Sequence, residues 1–271
     1  SGVNDLNEFN MAEKITKDIN PSYGSIQALK TRDTDVVILT EDKVLKAVTN
    51  KDALYNADGN PQLIASNRVL GTAVPFSGDY GISNNPESLA SDQYRLYFTD
   101  MQRGAVIRLS RDGLTPISDI GMKTWFRDNL KKTNSLLGTF DSVSGEYNLT
   151  FDYITTTNLT DKTVSFNESS KGWVSFKSFV PQEGVSVGGR YLTASLSGNT
   201  SGVQNPIWEH HVDIRKTTQG QNFNDIINRN VFYATNAIIE AENDLGDYYT
   251  NSSLTMIFND MPGSIKSFKS A

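Results

Sequence analysis

The sequence predicts a mainly β protein, built as a propeller-like array of antiparallel sheets with one short helix. A hairpin pattern in residues 94–130 returns in looser form in residues 138–151. The intervals from Asp100 to Asp141 and from Gly104 to Gly145 are both 41 residues, within the ~40–45-residue spacing of propeller blades. Residues 148–196 alternate apolar and polar positions, as half-buried strands do.

The first hairpin unit reads as strand, tight turn, strand, second tight turn and helix. Phe98, Asp100 and Gly104 are assigned to its first turn, and Asp112 with Gly113 forms the second. Aspartate and glycine favour such turns because they tolerate backbone conformations that other residues resist. In the copy, the corresponding residues are Phe140, Asp141 and Gly145.

One helix is predicted over residues 119–132. Met122, Phe126 and Leu130 recur at intervals of four and share one face. Ser118 or Asp119 is the predicted cap, since a short polar side chain can accept from the first free N–H groups. We interpret this helix as filling a gap beside the sheets rather than as a partner-binding helix.

Before the repeated unit, the sequence predicts an N-terminal arm over residues 1–30 and a hairpin over residues 36–48. Glu41, Asp42 and Lys43 form the turn of that hairpin, and residues 58–61 form a further turn. A long loop is predicted over residues 71–92. Its four apolar residues would be costly to leave in water, so the loop is predicted to contact a neighbouring subunit: Pro75, Phe76, Tyr80 and Ile82.

After residue 196 the prediction is a polar loop or insertion over residues 200–230, then strands at 231–240 and 253–258. Residues 31–271 are therefore assigned to one propeller-like domain. The sequence stops directly after a strand and turn, and we expect the domain to continue beyond residue 271 in a longer polypeptide.

Composition excludes several classes of function. The 271 residues include no cysteine and two histidines, and the net charge is -6. Disulfides, thiol chemistry and cysteine zinc sites are thus absent, and general attraction to DNA phosphates is not expected. The sequence contains no run of ~18 apolar residues, so no membrane span is expected, and residues 1–10 do not resemble a signal peptide.

Two groups of residues could be considered as metal sites. The first comprises Glu209, His210, His211 and Asp213. On a regular strand the two histidines would point to opposite faces and could not share one ion, so we interpret the group as loop or edge residues.

Calcium ligands could be sought in a second group, either Asp58, Asn60 and Asp79 or Asp100 with Asp112. No run of these residues has the spacing of a calcium-binding loop, and turn formation explains them. The sequence therefore predicts no metal, cofactor or catalytic residue.

The remaining distinctive residues are given structural interpretations. Residues 110–114 and 167–173 are similar to the Asp-box turn of sialidase propellers, which has a structural role in holding a hairpin together. Gly188 with Gly189 forms a plain hairpin turn. Three tryptophans are predicted to anchor the core or an interface: Trp125, Trp173 and Trp208. Four arginines are predicted to lie on solvated faces or to form salt bridges between subunits: Arg103, Arg108, Arg111 and Arg127.

Several strings of this chain, taken together, resemble the tail muzzle or nozzle protein of crAss-like and related short-tailed bacteriophages, also called the stabilization protein. They are YGSIQALKTRDTDVVILTEDKVLKAVTNKDALYN at 23–56, GDYGISNNPESLASDQYRLYFTDMQRGAVIRLSRDGLTPISDIGMKTWFRDNL at 78–130, KGWVSFKSFVPQEG at 171–184 and MIFNDMPGSIKSFKS at 256–270. These strings cover roughly half the chain, in order. Residues 200–247 have no counterpart, and in the family the last string runs on into further sequence.

The resemblance implies a structural virion protein of the phage tail. Its implied partners are other copies of itself in a homo-oligomeric ring, portal or other tail proteins, and viral DNA passing through the lumen. It would be assembled in the host bacterial cytoplasm, and no enzymatic residues come with it. The alternative is a glycan-binding or glycan-hydrolysing propeller, which would need two carboxylates ~5–9.5 Å apart in a cleft.

Overall fold

The computed structural model describes most of the chain up to residue 194 and short segments after it. The described residues are 18–32, 34–55, 61–153, 159–177, 179–194, 207–211, 230–231 and 254–256. Within them the protein is mainly β, with four sheets and one α-helix. This confirms the predicted fold class at the level of a mainly antiparallel β protein with one short helix.

Each sheet is built from strands that follow one another along the chain. Sheet A contains β1 (Ile26–Thr31), β2 (Asp35–Thr40), β3 (Val44–Tyr55) and β4 (Pro61–Pro75). Sheet B contains β5 (Ala90–Ser91), β6 (Leu96–Asp100), β7 (Ala105–Ser110) and β8 (Gly113–Pro116). In both sheets each strand pairs antiparallel with the next.

The other two sheets begin the same way and then gain a later strand. Sheet C contains β9 (Thr133–Asp141), β10 (Glu146–Tyr153), β11 (Lys162–Asn167) and β12 (Gly172–Lys177), with β17 (Leu254–Met256) beside β12. Sheet D contains β13 (Glu183–Val187), β14 (Arg190–Ala194), β15 (Ile207–Glu209) and β16 (Asn230–Val231). The pairing of β15 with β16 is parallel, and the other pairings are antiparallel.

The sheets pack face to face in chain order. Val37 and Leu39 of sheet A are buried against Phe98 and Ile107 of sheet B. The opposite face of sheet B packs on sheet C, where the rings of Tyr97 and Tyr147 stack with centroids 4.9 Å apart. Sheet B is thus covered on both faces, which explains why every residue of β6 is buried.

The two predicted hairpin turns have the same local structure. Four residues, 101–104 and 142–145, connect the strands in each case. Gly104 and Gly145 adopt φ of +66° and +68°, a left-handed conformation that glycine enters without steric cost. The 41-residue repeat is confirmed for the turn. The prediction that the two turns are equivalent parts of successive blades is wrong. The turn at Gly104 joins the second and third strands of sheet B, whereas the turn at Gly145 joins the first and second strands of sheet C.

The helix is shorter than predicted. α1 spans Lys123–Leu130, and Met122, the residue at its N-cap, makes no side-chain capping bond. The predicted cap at Ser118 or Asp119 is wrong because these residues lie in a 3₁₀ turn, Ile117–Asp119, and Gly121 at φ +76° turns the chain before the helix starts. The predicted face is confirmed, since Phe126 and Leu130 are fully buried.

The long loop predicted over residues 71–92 is shorter, because β4 runs to Pro75 and β5 begins at Ala90. Ile82 is fully buried in the core between sheets A and B, where Phe76 and Tyr80 are partly buried. The expectation that a neighbouring subunit would be needed to cover these residues is therefore wrong for Ile82, whereas Pro75 is exposed. A role for this loop in subunit contact stays a prediction.

The remaining predictions concern strands, turns and the domain boundary, and the described residues test some of them. The hairpin at 36–48, the strands within 148–196 and the turn at Gly188 and Gly189 are confirmed. The turn at residues 58–61, the polar insertion and the first 17 residues of the arm lie largely or wholly outside the described residues. The division into an arm and a domain at residue 30 stays a prediction, although β1 already begins at Ile26.

Candidate functional site

An open cleft lies at one end of sheet B, where the turn before β6 meets the turn between β7 and β8. These turns are neighbours because Leu96, the first residue of β6, pairs with Leu109 near the end of β7. The cleft has a volume of about 430 Å³ and is lined by Tyr94, Arg95, Arg108, Ser110, Arg111 and Asp112.

The carboxylate of Glu168 joins this end of sheet B to sheet C. Glu168 lies in the turn between β11 and β12 and accepts from the hydroxyl of Tyr97 at 2.7 Å and from Nη1 of Arg108 at 3.0 Å. Nε of Arg95 lies 3.7 Å from the same carboxylate. Burial raises the pKa of Tyr97, and the bond to Glu168 raises it further, so the phenol stays a neutral donor.

Charges around the cleft are balanced. The three arginines of its lining lie among three carboxylates, Asp92, Asp112 and Glu168. The guanidinium of Arg111 lies over the ring of Tyr94, 5.2 Å from its centre. A site that binds an anion strongly has an excess of positive charge, and this cleft has none among the described residues.

The cleft also lacks the arrangement of a glycosidase. Asp112 is the one carboxylate among its described lining residues. Glu168 is already bound by a tyrosine and an arginine. A carboxyl group that serves as acid or nucleophile must be free to reach the substrate, so the alternative function gains no support here.

The predicted histidine group lies beside sheet D. β15 ends at Glu209, whose carboxylate holds the guanidinium of Arg190 through a bond of 2.5 Å. The next residue, His210, is buried, and its Nε2 lies 2.8 Å from the hydroxyl of Thr193. Burial lowers the pKa of His210 to about 4, with a smaller effect of His211.

His211 points in a different direction and contacts sheet C. Its Nε2 lies 2.5 Å from Oδ2 of Asp141, the last residue of β9. Burial raises the pKa of Asp141, but bonds from His211 and Ser144 outweigh it, and the net pKa is lowered. The described residues contain no group of three that could hold a metal ion, and Asp213 lies outside them.

Aspartates considered as calcium ligands are engaged in ion pairs or turns. Lys43 pairs with Asp79, and Arg103 pairs with the buried Asp100 at 2.9 Å. Asp112 lines the cleft. Asp58 and Asn60 lie outside the described residues.

The predicted arginines and tryptophans have structural positions. Arg103 and Arg108 form ion pairs within the chain, whereas Arg127 pairs with Asp128 at an exposed site. Trp125 packs at the edge of the core between sheets B and C. Trp173 is buried in the same core and donates from Nε1 to the carbonyl of Ile117 at 3.0 Å, and Trp208 packs near Phe179.

Polar side chains cover the face of sheet C that meets sheet D. We call this set the polar seam, and all its members are buried: Thr139, Asn148, Thr150, Thr163, Ser165 and Ser175. The hydroxyl of Tyr191 in β14 lies 2.8 Å from Oγ1 of Thr139 and accepts from Asn148 at 3.3 Å. Thr163 donates to the carbonyl of Phe179 at 2.6 Å. Hydrogen bonds therefore join sheet D to sheet C.

Sequence reasoning missed both Glu168 and the polar seam. Glu168 lies 71 residues from Tyr97 in sequence, and no local pattern links them. The residues of the seam do show a signal, because uncharged polar residues occupy the central alternate positions of the two strands, Asn148 and Thr150 in β10 and Thr163 and Ser165 in β11. Such uncharged polar residues can be buried if they bond to one another.

Among the described residues, no helix has the length and apolar character needed to cross a membrane. Comparison with protein families gives one further finding. A family model described as Crassvirus muzzle protein matches residues 7–195, about 70% of the chain. No curated protein matches the sequence.

Proposed function

The chain belongs to the Crassvirus muzzle protein family, and from that premise we propose that it forms part of the ring at the end of a phage tail. It is a structural protein of a bacteriophage. Copies of the chain assemble into the ring together with portal or other tail proteins, and viral DNA passes through the lumen.

The family match is the observation that carries this proposal. The matched residues, 7–195, include all strands from β1 to β14. They therefore contain sheets A and B, the first four strands of sheet C and the first two strands of sheet D. The likeness to muzzle proteins thus extends through the whole stack of sheets rather than one motif.

A propeller-like arrangement is part of the proposal. Sheets A and B are four-stranded meanders, and sheets C and D begin as meanders. Consecutive sheets pack face to face, as blades do. Radial repetition of short sheets leaves few exposed edges, which suits a particle that must persist outside the cell.

Passage of DNA agrees with the charge of the chain. A strongly basic wall would hold the phosphates and slow the DNA. This chain has a net charge of -6, and the arginines that line the cleft are balanced by carboxylates. A lumen lined by such a protein repels DNA weakly and leaves it free to slide.

The proposed role is non-enzymatic. In the described residues, the carboxylates of Asp100, Asp141 and Glu168 hold turns or adjacent sheets together. The glycan-hydrolysing alternative is favoured by no contact in the described residues.

Location in the virion can be tested directly. Purified phage particles carrying this gene would be labelled with gold-conjugated antibodies against the chain and imaged by electron microscopy. We expect label at the tail end of intact particles and ring-shaped density of cyclic symmetry there in an averaged map. Antibodies against the capsid protein are the control. Absence of the chain from purified particles would overturn the proposal.

A further inference from the structure

Two adjacent histidines lie where sheet D meets sheet C, and they are the only histidines of the chain. His210 is 3% exposed, and its backbone N–H donates to the carbonyl of Tyr191 at 3.0 Å. His211 has φ of +61°, and its ring contacts Asp141 of sheet C. Imidazole titration can therefore act at this contact between two sheets and nowhere else in the chain.

The residues that surround His210 are also residues that join the two sheets. Its ring centre lies 4.8 Å from that of Tyr191 and 4.7 Å from that of Phe179. The hydroxyl of Tyr191 bonds to Thr139 of sheet C, and the carbonyl of Phe179 accepts from Thr163 of the same sheet. Separation of the sheets breaks these bonds and admits water to the ring that they enclose.

Charged groups of sheet C face His210 across this contact. The carboxylate of Asp141 favours a positive charge on the imidazole, whereas Lys177 and the neighbouring His211 disfavour it. Lys177 is paired with Glu146 at 3.1 Å, so its charge is partly balanced. These groups act in opposite directions and leave the burial of the ring to decide its charge.

Sheet D places an ion pair and a hydroxyl next to His210. Glu209, the preceding residue, binds the guanidinium of Arg190, and Nε2 of His210 lies 2.8 Å from the hydroxyl of Thr193. Burial is the largest influence on His210 and lowers its pKa to about 4. The closed contact between the sheets therefore holds the neutral imidazole and disfavours the charged one.

We propose that acid opens the contact between sheets C and D by protonating His210, while sheets A, B and C stay packed on one another. When the sheets part, the imidazole gains a proton and water surrounds the charged ring. Closure then requires the ring to lose that proton or to be buried with its charge, and the second is costly. The proposal concerns the layers within one chain and does not depend on the proposed role in the tail.

The open form should bind more protons than the closed form between pH 4 and 6.5. In the open form the pKa of His210 returns to its ordinary value of 6.5, whereas it is about 4 in the closed form. The equilibrium constant for opening should therefore rise by up to about tenfold for each pH unit of acidification in this range. Asp141, whose pKa in the closed form lies below 3.8, adds to the effect only in stronger acid.

Hydrogen exchange of the 271-residue chain, followed by mass spectrometry from pH 7.5 to pH 4, tests this proposal. Rates are corrected for the pH dependence of exchange in an unstructured chain. Protection of the amides of β13 and β14 should be constant above pH 6.5 and fall by up to about tenfold per pH unit below it. Amides of β6 and β7 should stay more protected than these at every pH.

The two histidines provide a variant and its matched control. His210→Asn keeps a polar side chain beside Thr193 but does not titrate, so protection of β13 and β14 should become independent of pH. His211→Asn should keep the wild-type dependence, because asparagine tolerates the left-handed backbone at that position and His210 is intact. Circular dichroism at pH 7 confirms that each variant folds.

Three results would overturn the proposal. Protection of β13 and β14 in the wild type that does not change between pH 6.5 and 4 would show that the opening does not expose His210. Equal protection of β6, β7, β13 and β14 would show that sheet D does not open by itself. A pH dependence that survives His210→Asn and disappears in His211→Asn would assign the titration to the other histidine. The first two results need the wild-type chain only, so they decide the matter even if a variant fails to fold.

Discussion

Asp100 and Asp141 occupy the same position in two hairpins 41 residues apart. Each is the last residue of its strand and pairs with the residue five positions on. Each also accepts, through Oδ1, the backbone N–H three positions on, at 3.0 Å from Arg103 and 3.3 Å from Ser144. The carboxylate thus closes the turn.

A third hairpin has the same design with different residues. Asn167 ends β11 and accepts the backbone N–H of Ser170 at 3.0 Å, and it pairs with Gly172. At the position of the two left-handed glycines stands Lys171, with φ of +50°. Asparagine replaces aspartate, and a side chain is present where the other turns have none.

Substitutions in these turns should differ in a predictable order. Gly145→Ala should lower the free energy of unfolding by about 1 kcal/mol, the cost of a left-handed backbone with a side chain. Gly104→Ala should cost roughly 2–4 kcal/mol, since overpacking adds to that strain: a Cβ there would lie 2.8 Å from Cα of Arg127. Urea denaturation of each variant gives these values.

Lys171→Gly is the control of opposite sign for this series. It removes left-handed strain and should raise the free energy of unfolding by up to about 1 kcal/mol, less the entropy that glycine adds to the unfolded chain. Equal losses at Gly104 and Gly145 would show that contact with the helix is unimportant.

Stability should depend on pH through His210. Its pKa is lowered from 6.5 to about 4 in the folded protein, so the unfolded chain binds more protons between these values. The free energy of unfolding should therefore rise with pH from about 4 to 6.5, at up to roughly 1.4 kcal/mol per pH unit. Urea midpoints measured at intervals across this range test the slope.

His210→Asn should flatten this slope whatever it does to stability at pH 7. Titration of Asp141 does not contribute to the slope between pH 4 and 6.5, because its pKa in the folded protein lies below the ordinary value of 3.8. The stability it contributes is present above 3.8 and is lost only at lower pH. An unchanged slope in the variant would contradict the assignment to His210.

Removal of the Glu168 carboxylate should weaken the contact between sheets B and C and lower the free energy of unfolding. Glu168→Ala leaves the hydroxyl of Tyr97 and the guanidinium of Arg108 without their partner and should cost about 1–3 kcal/mol, less than a fully buried ion pair because these side chains retain some solvent. Glu168→Gln keeps an acceptor for Tyr97 and should cost less. Guanidinium denaturation of the variants measures both.

Asp128→Ala is the matched control for Glu168, since it removes an exposed ion pair with Arg127. It should change stability by less than about 1 kcal/mol. Similar losses at residues 128 and 168 would show that the connection between the two sheets contributes little.

Close packing between sheet C and the segment before sheet B should make Gly138 intolerant of any side chain. A Cβ at Gly138 would lie 2.0 Å from the carbonyl oxygen of Ser88. Gly138→Ala should cost roughly 1–3 kcal/mol, as overpacking of a core does, which thermal melts can measure. Gly172→Ala, whose Cβ would meet nothing closer than 3.8 Å, should cost much less.

Local patterns predicted the parts of the fold that local chemistry decides. The turns at Gly104 and Gly145 and the buried face of Phe126 and Leu130 follow from residues close in sequence. The burial of Ile82 does not, because sheets A and B enclose it, and such contacts leave no periodic signal.

The polar seam shows a second limit of prediction from sequence. Alternation in β10 and β11 indicated strands with one face in water. Asn148 and Ser165 are instead buried, with their side chains bonded to each other at 2.6 Å, because sheet D covers them. A third layer turns an apparent solvent face into an interior one, and the sequence of one sheet does not reveal whether that layer exists.

The seam also sets how the protein comes apart. Parting of sheets A and B exposes apolar surface, which raises heat capacity and gives a steep response to denaturant. Parting of sheet D from sheet C exposes mainly hydroxyl and amide groups, which lower rather than raise the heat capacity. This opening exposes far less surface than global unfolding does, so amides of β13 and β14 should exchange with solvent through a local opening that urea accelerates less than it accelerates global unfolding. The layer held by hydrogen bonds is the first to detach, while the three before it stay folded.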